Sequence, residues 1–204
     1  MSTIKNFTEV AFTDSVKKIQ EEMGSRKGYK RMEEMDMGKV FEPKEFSFIM
    51  ERDSFYIASI SSKDEPYVQF RGGPKGFIKL LSDTEFGFLD YGGNRQYITT
   101  GNVTEHKNVS LFLMDYVNKR RLKIWAEAKV HSVEDMKESG LYDKLVDVDY
   151  KAKIERGFTF KLRAFDWNCP KYIPQKYTIE EINSLLGLEG TKSLQEIREL
   201  ISKS

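Results

Sequence analysis

The stretch Pro66–Asn102, PYVQFRGGPKGFIKLLSDTEFGFLDYGGNRQYITTGN, decides how the rest of the chain is read. Segments rich in Phe, Ile, Leu and Tyr alternate with two glycine-bearing bends, Arg71-Gly72-Gly73 and Tyr91-Gly92-Gly93-Asn94-Arg95. Strand-like runs separated by short bends predict antiparallel pairing. Outward from this stretch the period of two continues. Candidate strands cover 55–61, 66–71, 77–81, 84–90, 109–115, 121–131 and 154–165. In 121–131, Leu122, Ile124, Ala126, Ala128 and Val130 share one face, and Trp125 falls conspicuously among the polar residues of the other. In 154–165 the apolar face is broken by Arg156, which places that residue near a mouth or a bulge. The fold class is therefore mainly β with flanking helices, and about six or seven strands joined by short turns favour a closed antiparallel barrel.

Residues 1–53 read as a helical segment, 54–177 as the barrel, and 178–204 as helices that pack on the barrel or on a second subunit. Thr13 or Asp14 caps a first helix closed by Gly24, Ser25 opens a second, and Pro43 suits the first turn of a short third. The third is expected over 44–51, with Phe46, Ile49 and Met50 inward. A helix is expected over 133–146, a capping box at Thr178 and Glu181 starts another, and a last helix covers about 193–203.

Composition narrows the function. The 204 residues carry 33 basic and 32 acidic side chains, a net charge of +1, so there is no broad field for nucleic acid or an anionic membrane. Any bound anion must be held by a local cluster. One cysteine, Cys169, excludes an internal disulfide framework and a cysteine-rich metal site. The start MSTIKNFTEV lacks the apolar core of a signal peptide, and no apolar run approaches the roughly 20 residues that span a bilayer. A soluble, cytoplasmic protein with no nucleic-acid or membrane partner is expected.

The glycine bends carry the chemistry. Gly92, Gly93 and Asn94 tolerate the positive φ of a tight turn, and such a turn aims several N–H groups at one point. Arg95 adds a forked, charged donor suited to a phosphate. Arg71 stands beside Gly72 and Gly73, which remove side-chain bulk, and Lys79 adds charge nearby. Gln96, Tyr97, Thr99 and Asn102 supply neutral donors. Spacing alone favours two ordinary hairpin turns with solvated arginines. Phe77, Tyr91, Tyr97, Trp125 and Trp167 are candidates to bracket a planar ring, although a core uses such residues too. His106 and His131 have no partner at metal-ligand or triad spacing, so no metal site and no catalytic side chain is assigned.

The strings RGGPKGF (71–77), GFLDYGGNRQYITTGN (87–102), VSLFLMDY (109–116), RRLKIWAEAKV (120–130) and FDWNCP (165–170), in this order, resemble the pyridoxamine 5'-phosphate oxidase-like family of FMN-binding split barrels. The likeness spans nearly the whole chain and is nearest to a subgroup of predicted flavin-nucleotide-binding proteins. It implies a homodimer of six-stranded antiparallel split β-barrels with FMN in the crevice between subunits. Arg71 and the turn Asn94-Arg95-Gln96 would then hold the phosphate and ribityl chain, helped by Lys79. Main chain at Phe77-Ile78 and Leu89-Asp90 would lie along the flavin, while Arg121 and Trp167-Asn168 would reach it from the partner. In the vitamin B6 oxidases of the family an arginine and a histidine near the end of the barrel grip the substrate phosphate. Tyr172 and Pro174 stand there in this chain, and neither supplies a cationic clamp. The resemblance thus implies an FMN-dependent oxidoreductase on an unidentified small substrate, with NAD(P)H as a candidate reductant, and not a true pyridoxamine phosphate oxidase. A non-catalytic flavin redox sensor or carrier fits the same residues; haem or a deazaflavin in the barrel is a further alternative.

Overall fold

The computed structural model describes residues 4–35, 38–187 and 193–202. Its strands are β1 Ser54–Ile60, β2 Pro66–Gly72, β3 Lys79–Leu80, β4 Glu85–Tyr91, β5 Asn108–Asp115, β6 Arg120–His131 and β7 Ile154–Trp167. They form one sheet in the order β2-β1-β5-β6-β7-β4-β3. The β1–β2, β1–β5, β3–β4, β4–β7 and β6–β7 ladders are antiparallel.

A mainly β antiparallel fold was expected; a closed six-stranded barrel was too, and there the structure differs. The sheet has seven strands, and among the described residues no ladder joins its edges, β2 and β3. The chain between those edges is held by other partners. The Gly73 N–H donates to the Asp53 carbonyl at 2.9 Å and the Gly76 N–H to the Arg52 carbonyl at 3.1 Å. Phe77 then turns into the core, and the strand expected over 77–81 shrinks to Lys79–Leu80.

One face of the sheet encloses an aromatic core. In the β4–β7 register Phe86 lies opposite Phe160 and Phe88 opposite Phe158. Their rings stack, with centroids 4.9 Å and 5.4 Å apart, and Phe55 and Phe77 close on Phe88. Directly opposed aromatic pairs are the strongest register marks a sheet possesses. The side-chain period of two carries the same face onward from Phe88 to Asp90 and from Phe158 to Arg156, which also pair. Beyond that pair Tyr91 lies opposite Ile154, so Glu155 is an extra residue: a bulge sits beside Arg156, where the break in apolarity placed one.

The helices are α1 Phe7–Ala11, α2 Asp14–Glu22, α3 Arg26–Glu33, α4 Pro43–Met50, α5 Ile98–Glu105, α6 Val133–Glu138, α7 Leu141–Leu145, α8 Ile179–Leu185 and α9 Leu194–Ile201. Thr13 caps α2, Gly24 follows it at φ 73°, and Thr178 and Glu181 form the expected capping box of α8. In α4 the inward residues are Glu45, Phe48 and Ile49, whereas Met50 is exposed. The helix expected over 133–146 breaks at Gly140, whose φ of 70° is left-handed. Trp125 is explained by α1: the Phe7 ring stacks on it at 6.5 Å, and Lys123 lies over it.

The chain divides into two compact units. One runs to Met114 and resumes over Arg121–Asn168; the other comprises Asp115–Arg120 and the chain from Cys169. The aromatic core and the site below lie in the first. In the second, Arg120 pairs with Asp115 at 2.9 Å and the Gln175 side chain donates to the Val117 carbonyl at 3.0 Å. Among the described residues no helix is long and apolar enough to cross a membrane.

Two outcomes are expected. Phe160→Ala removes a fully buried ring from the centre of the stack, and should cost about 3–5 kcal/mol in denaturant unfolding. His131 bonds Thr159 at 2.7 Å, and burial first, then Lys129, hold its imidazole below the ordinary 6.5. The unfolded chain therefore takes up that proton first. Its contribution to stability is complete above 6.5 and is lost as pH falls from there to the folded-state value, a slope that His131→Gln should remove.

Candidate functional site

The two arginines of the glycine bends meet in one cleft of about 250 Å³, lined by Gln69, Phe70, Arg71, Asp90, Tyr91, Gly93, Asn94, Arg95, Tyr97, Thr100 and Glu155. Edge strand β2 turns Tyr67, Gln69 and Arg71 to one side and leaves Val68 and Phe70 exposed on the other. Arg71 crosses the end of the aromatic stack, its guanidinium 5.7 Å from the Phe158 ring centre, and donates from Nη1 to Asp90 Oδ1 at 2.6 Å. On the far side of Asp90, Arg156 Nε stands 3.3 Å from Oδ2. Arg156 also donates to Glu155 at 2.7 Å and to Thr100 at 3.4 Å, and lies over the Tyr97 ring at 4.4 Å. The bulge makes this possible, because an unbroken strand would point Glu155 and Arg156 to opposite faces.

The wall opposite is the turn into α5. Glycines were expected to carry its positive φ, and that expectation is corrected: Arg95 at 62° and Tyr97 at 54° do so, while Gly92 and Gly93 have ordinary backbone. Two large residues in the left-handed region cost on the order of 1–3 kcal/mol each unless their surroundings hold them. Here the Gln96 N–H donates to Asn94 Oδ1 at 3.2 Å and Arg95 Nε to the Tyr97 hydroxyl at 3.4 Å. The helix that follows is anchored from below, by Thr99 donating to Gln69 at 2.6 Å and Asn102 to Ser59 at 3.0 Å. Thr99 and Asn102 therefore serve as buried struts rather than ligand donors. Tyr97, the N-cap of α5, makes no side-chain cap bond.

Burial dominates the electrostatics. It raises the Asp90 carboxyl above its usual range in spite of Arg71 and Arg156, and lowers Arg71 in spite of Asp90. It also raises the Tyr91 phenol. Arg95, by contrast, is exposed, and its bond to Tyr97 raises it. Arg71 Nε is buried and has no hydrogen-bond partner among the described residues. An orphaned charged donor beside two further guanidiniums fits an incoming anion, so the residues suit the phosphate of a nucleotide-like cofactor.

Of the residues expected at such a site, Arg71, Asp90, Tyr91, Asn94 and Arg95 line the cleft. Gly72, Gly73, Phe77, Ile78, Lys79, Leu89, Gln96, Arg121, Trp167 and Asn168 do not. Gly73 serves packing: a Cβ there would lie 2.6 Å from Phe77. Phe77 and Ile78 belong to the main core, and Leu89 packs with Met136 and Leu145. Arg121 has a buried Nε with no hydrogen-bond partner, and its carbonyl accepts from the Asn168 N–H at 3.1 Å. Trp167 lines a second cleft of about 400 Å³ with Phe165, Lys44 and Glu45, and donates to Glu45 at 2.5 Å. Sequence reasoning missed Arg156 and Glu155 as site members; the signal was a charged residue on the apolar face of β7. Among the described residues no cluster of His, Cys, Asp or Glu is placed to hold a metal ion.

No protein-family model and no curated protein matches the chain. Solved structures that are similar include an FMN-binding protein from Syntrophomonas wolfei, at 13% identity and a TM-score of 0.47 over 60% of this chain and 82% of that one. HupZ from Group A Streptococcus is similar at 9% identity and a TM-score of 0.47, over 67% of this chain and 100% of that one. A candidate pyridoxamine 5'-phosphate oxidase from Lactobacillus delbrueckii is similar at 13% identity and a TM-score of 0.47, over 62% and 93%. These neighbours have the pyridoxamine 5'-phosphate oxidase-like split-barrel fold, the family that the strings of the sequence also resemble.

Proposed function

We propose that the protein binds FMN as a homodimer and is an oxidoreductase acting on a small substrate with NAD(P)H as reductant. One observation carries the reading: Arg71 and Arg95, 24 positions apart in the sequence, converge on a single cleft in which a buried guanidinium donor lacks a partner. Arg71, Arg95 and Arg156 hold the phosphate, and Asn94 with the backbone of the turn meets the ribityl hydroxyls. Forked, charge-assisted donors of this kind match the geometry and charge of a phosphate. FMN, when bound, supplies the hydride or single-electron transfer. The protein's part is to anchor the phosphate and hold the ring away from water.

The cleft of one chain takes the phosphate end only, since its lining is mostly polar and, of the residues named for the flavin, Phe77, Ile78 and Leu89 are in the core. The ring needs a second wall. A second copy supplies it across the outer face of β1 and β2, where Tyr56, Ile60, Val68 and Phe70 are 41%, 46%, 61% and 58% exposed. Phe70 belongs both to that face and to the cleft, so the surface that would pair copies adjoins the anion site. Arg121 and Trp167-Asn168 then reach the cofactor from the neighbouring subunit.

Titration of FMN against the purified protein, followed by flavin fluorescence, tests the first layer. Arg95→Ala should weaken FMN by about 1.5–3 kcal/mol, the scale of a charge-assisted hydrogen bond, and riboflavin far less. An unchanged FMN affinity would remove Arg95 from the site. Anaerobic bleaching of bound FMN by NADPH or NADH supports the enzyme; binding without reduction by either would point to a carrier. Phe70→Asp should shift sedimentation from dimer to monomer and weaken FMN in parallel. A monomer that binds FMN tightly would refute the shared site.

A further inference from the structure

We propose that Asp90 decides which anion the cleft accepts: the site takes a phosphomonoester as its dianion and takes up one proton on Asp90 as it does so. The inference rests on the phosphate-binding reading and adds to it a charge rule and a role for a carboxylate that would otherwise oppose an anion.

The geometry supplies the premises. Both Asp90 oxygens are committed to guanidiniums, Oδ1 to Arg71 at 2.6 Å and Oδ2 to Arg156 at 3.3 Å. The side chain is only 8% exposed, so its charge is shielded by little water. Among the described residues, these charged groups surround it. Arg71 comes from β2, Arg156 and the Glu155 carboxylate from β7, and Arg95 stands on the turn across the cleft; the phenols of Tyr67 and Tyr97 lie beside Arg71 and Arg156. Three guanidiniums against two carboxylates leave one positive charge. A singly charged phosphodiester would balance that charge as it stands. A phosphomonoester above its second pKa of about 6 carries two, and would leave the cleft with a net negative charge beside the buried Asp90. An uncompensated charge in such a site is costly, and the cheapest correction is a proton on the most buried carboxylate. Burial already biases Asp90 that way, and a phosphate drawing Arg71 to itself removes the stronger of its two partners. Asp90 is thus a positioning residue before binding, aligning Arg71 and Arg156, and a proton acceptor on binding.

The sign follows from linkage. The bound state holds more protons, so affinity is highest at the low end of the range and is lost as pH rises through the bound-state pKa of Asp90. Above pH 7 the phosphate titrates little, which isolates the protein's proton. Calorimetric titration of the whole protein with FMN, in two buffers of different ionisation enthalpy at pH 7.5, should give uptake of up to about one proton per FMN, and affinity should fall as pH rises above it, by up to about tenfold per pH unit. Riboflavin, which is uncharged, and riboflavin 4',5'-cyclic phosphate, a phosphodiester, should bind with no uptake. Asp90→Asn should abolish the uptake and flatten the pH profile, while Asp90→Glu should restore both. The wild-type measurement stands even where a variant folds poorly. Buffer-independent FMN binding in the wild type, or full uptake in Asp90→Asn, would overturn the charge rule and leave the phosphate site standing. Failure of FMN to bind, or affinity indifferent to Arg71 and Arg95, would overturn both.

Discussion

The register of β4 on β7 is the constraint on which the rest depends. Phe86 against Phe160 and Phe88 against Phe158 fix it, because a slip of one residue would turn both buried rings of the slipped strand to the opposite face. The same register delivers Asp90 opposite Arg156, one period beyond the last aromatic pair. The ion pair is therefore not an independent device laid on the fold. It is the end of the aromatic ladder, where apolar neighbours on one side and the cleft on the other hold the charges in a poorly solvated place. Arg71 joins from the opposite edge of the sheet by lying across Phe158, so the core's last ring supports one wall residue of the cleft.

Much of this was legible in the sequence, for a simple reason. Alternation is a local property, and six of the seven strands announced themselves by it within a residue or two at each end. Arg156 was legible as an irregularity for the same reason, since one charge on an apolar face is conspicuous. Helix α5 was not legible. Its sequence, ITTGNVTE, combines β-branched residues with a mid-helix glycine, and its N-cap is a tyrosine in the left-handed region. The helix exists because Thr99 and Asn102 are tied to Gln69 and Ser59, contacts that span 30 and 43 residues of sequence. Tertiary bonds overrode a poor local propensity. The positive φ expected of Gly92, Gly93 and Asn94 fell on Arg95 and Tyr97 for a related reason: their conformations are set by what their side chains and the following helix must reach.

The openness of the sheet belongs to the same account. Glycines in RGGPKGF suggest a bend, and the bend's direction follows from the bonds that Gly73 and Gly76 make to Asp53 and Arg52 and from the burial of Phe77. Those bonds stop β2 at Gly72, so that Arg71 ends an edge strand beside the cleft rather than a strand closed on both sides. An edge strand with exposed Val68 and Phe70 is a liability in a lone chain, since unpaired edges and apolar faces invite association. The proposed association with a second copy would turn that liability into a wall beside the cleft.

Energetics argue that the arginine–carboxylate cluster adds little to stability. Burying charges costs more than a pair regains unless the geometry and the remaining hydrogen bonds are good. Here they are incomplete: Arg71 Nε is orphaned, and Arg156 Nε meets Asp90 without a hydrogen bond. Apolar side chains of similar volume would stabilise the same position of the ladder at least as well, continuing the stack that precedes it. Burial displaces both Asp90 and Arg71 away from their charged forms, which is how an unfinished cluster behaves rather than a mutually satisfied one. On the reading proposed above, a phosphate at the mouth would draw on these guanidiniums and leave the carboxylate free to become neutral.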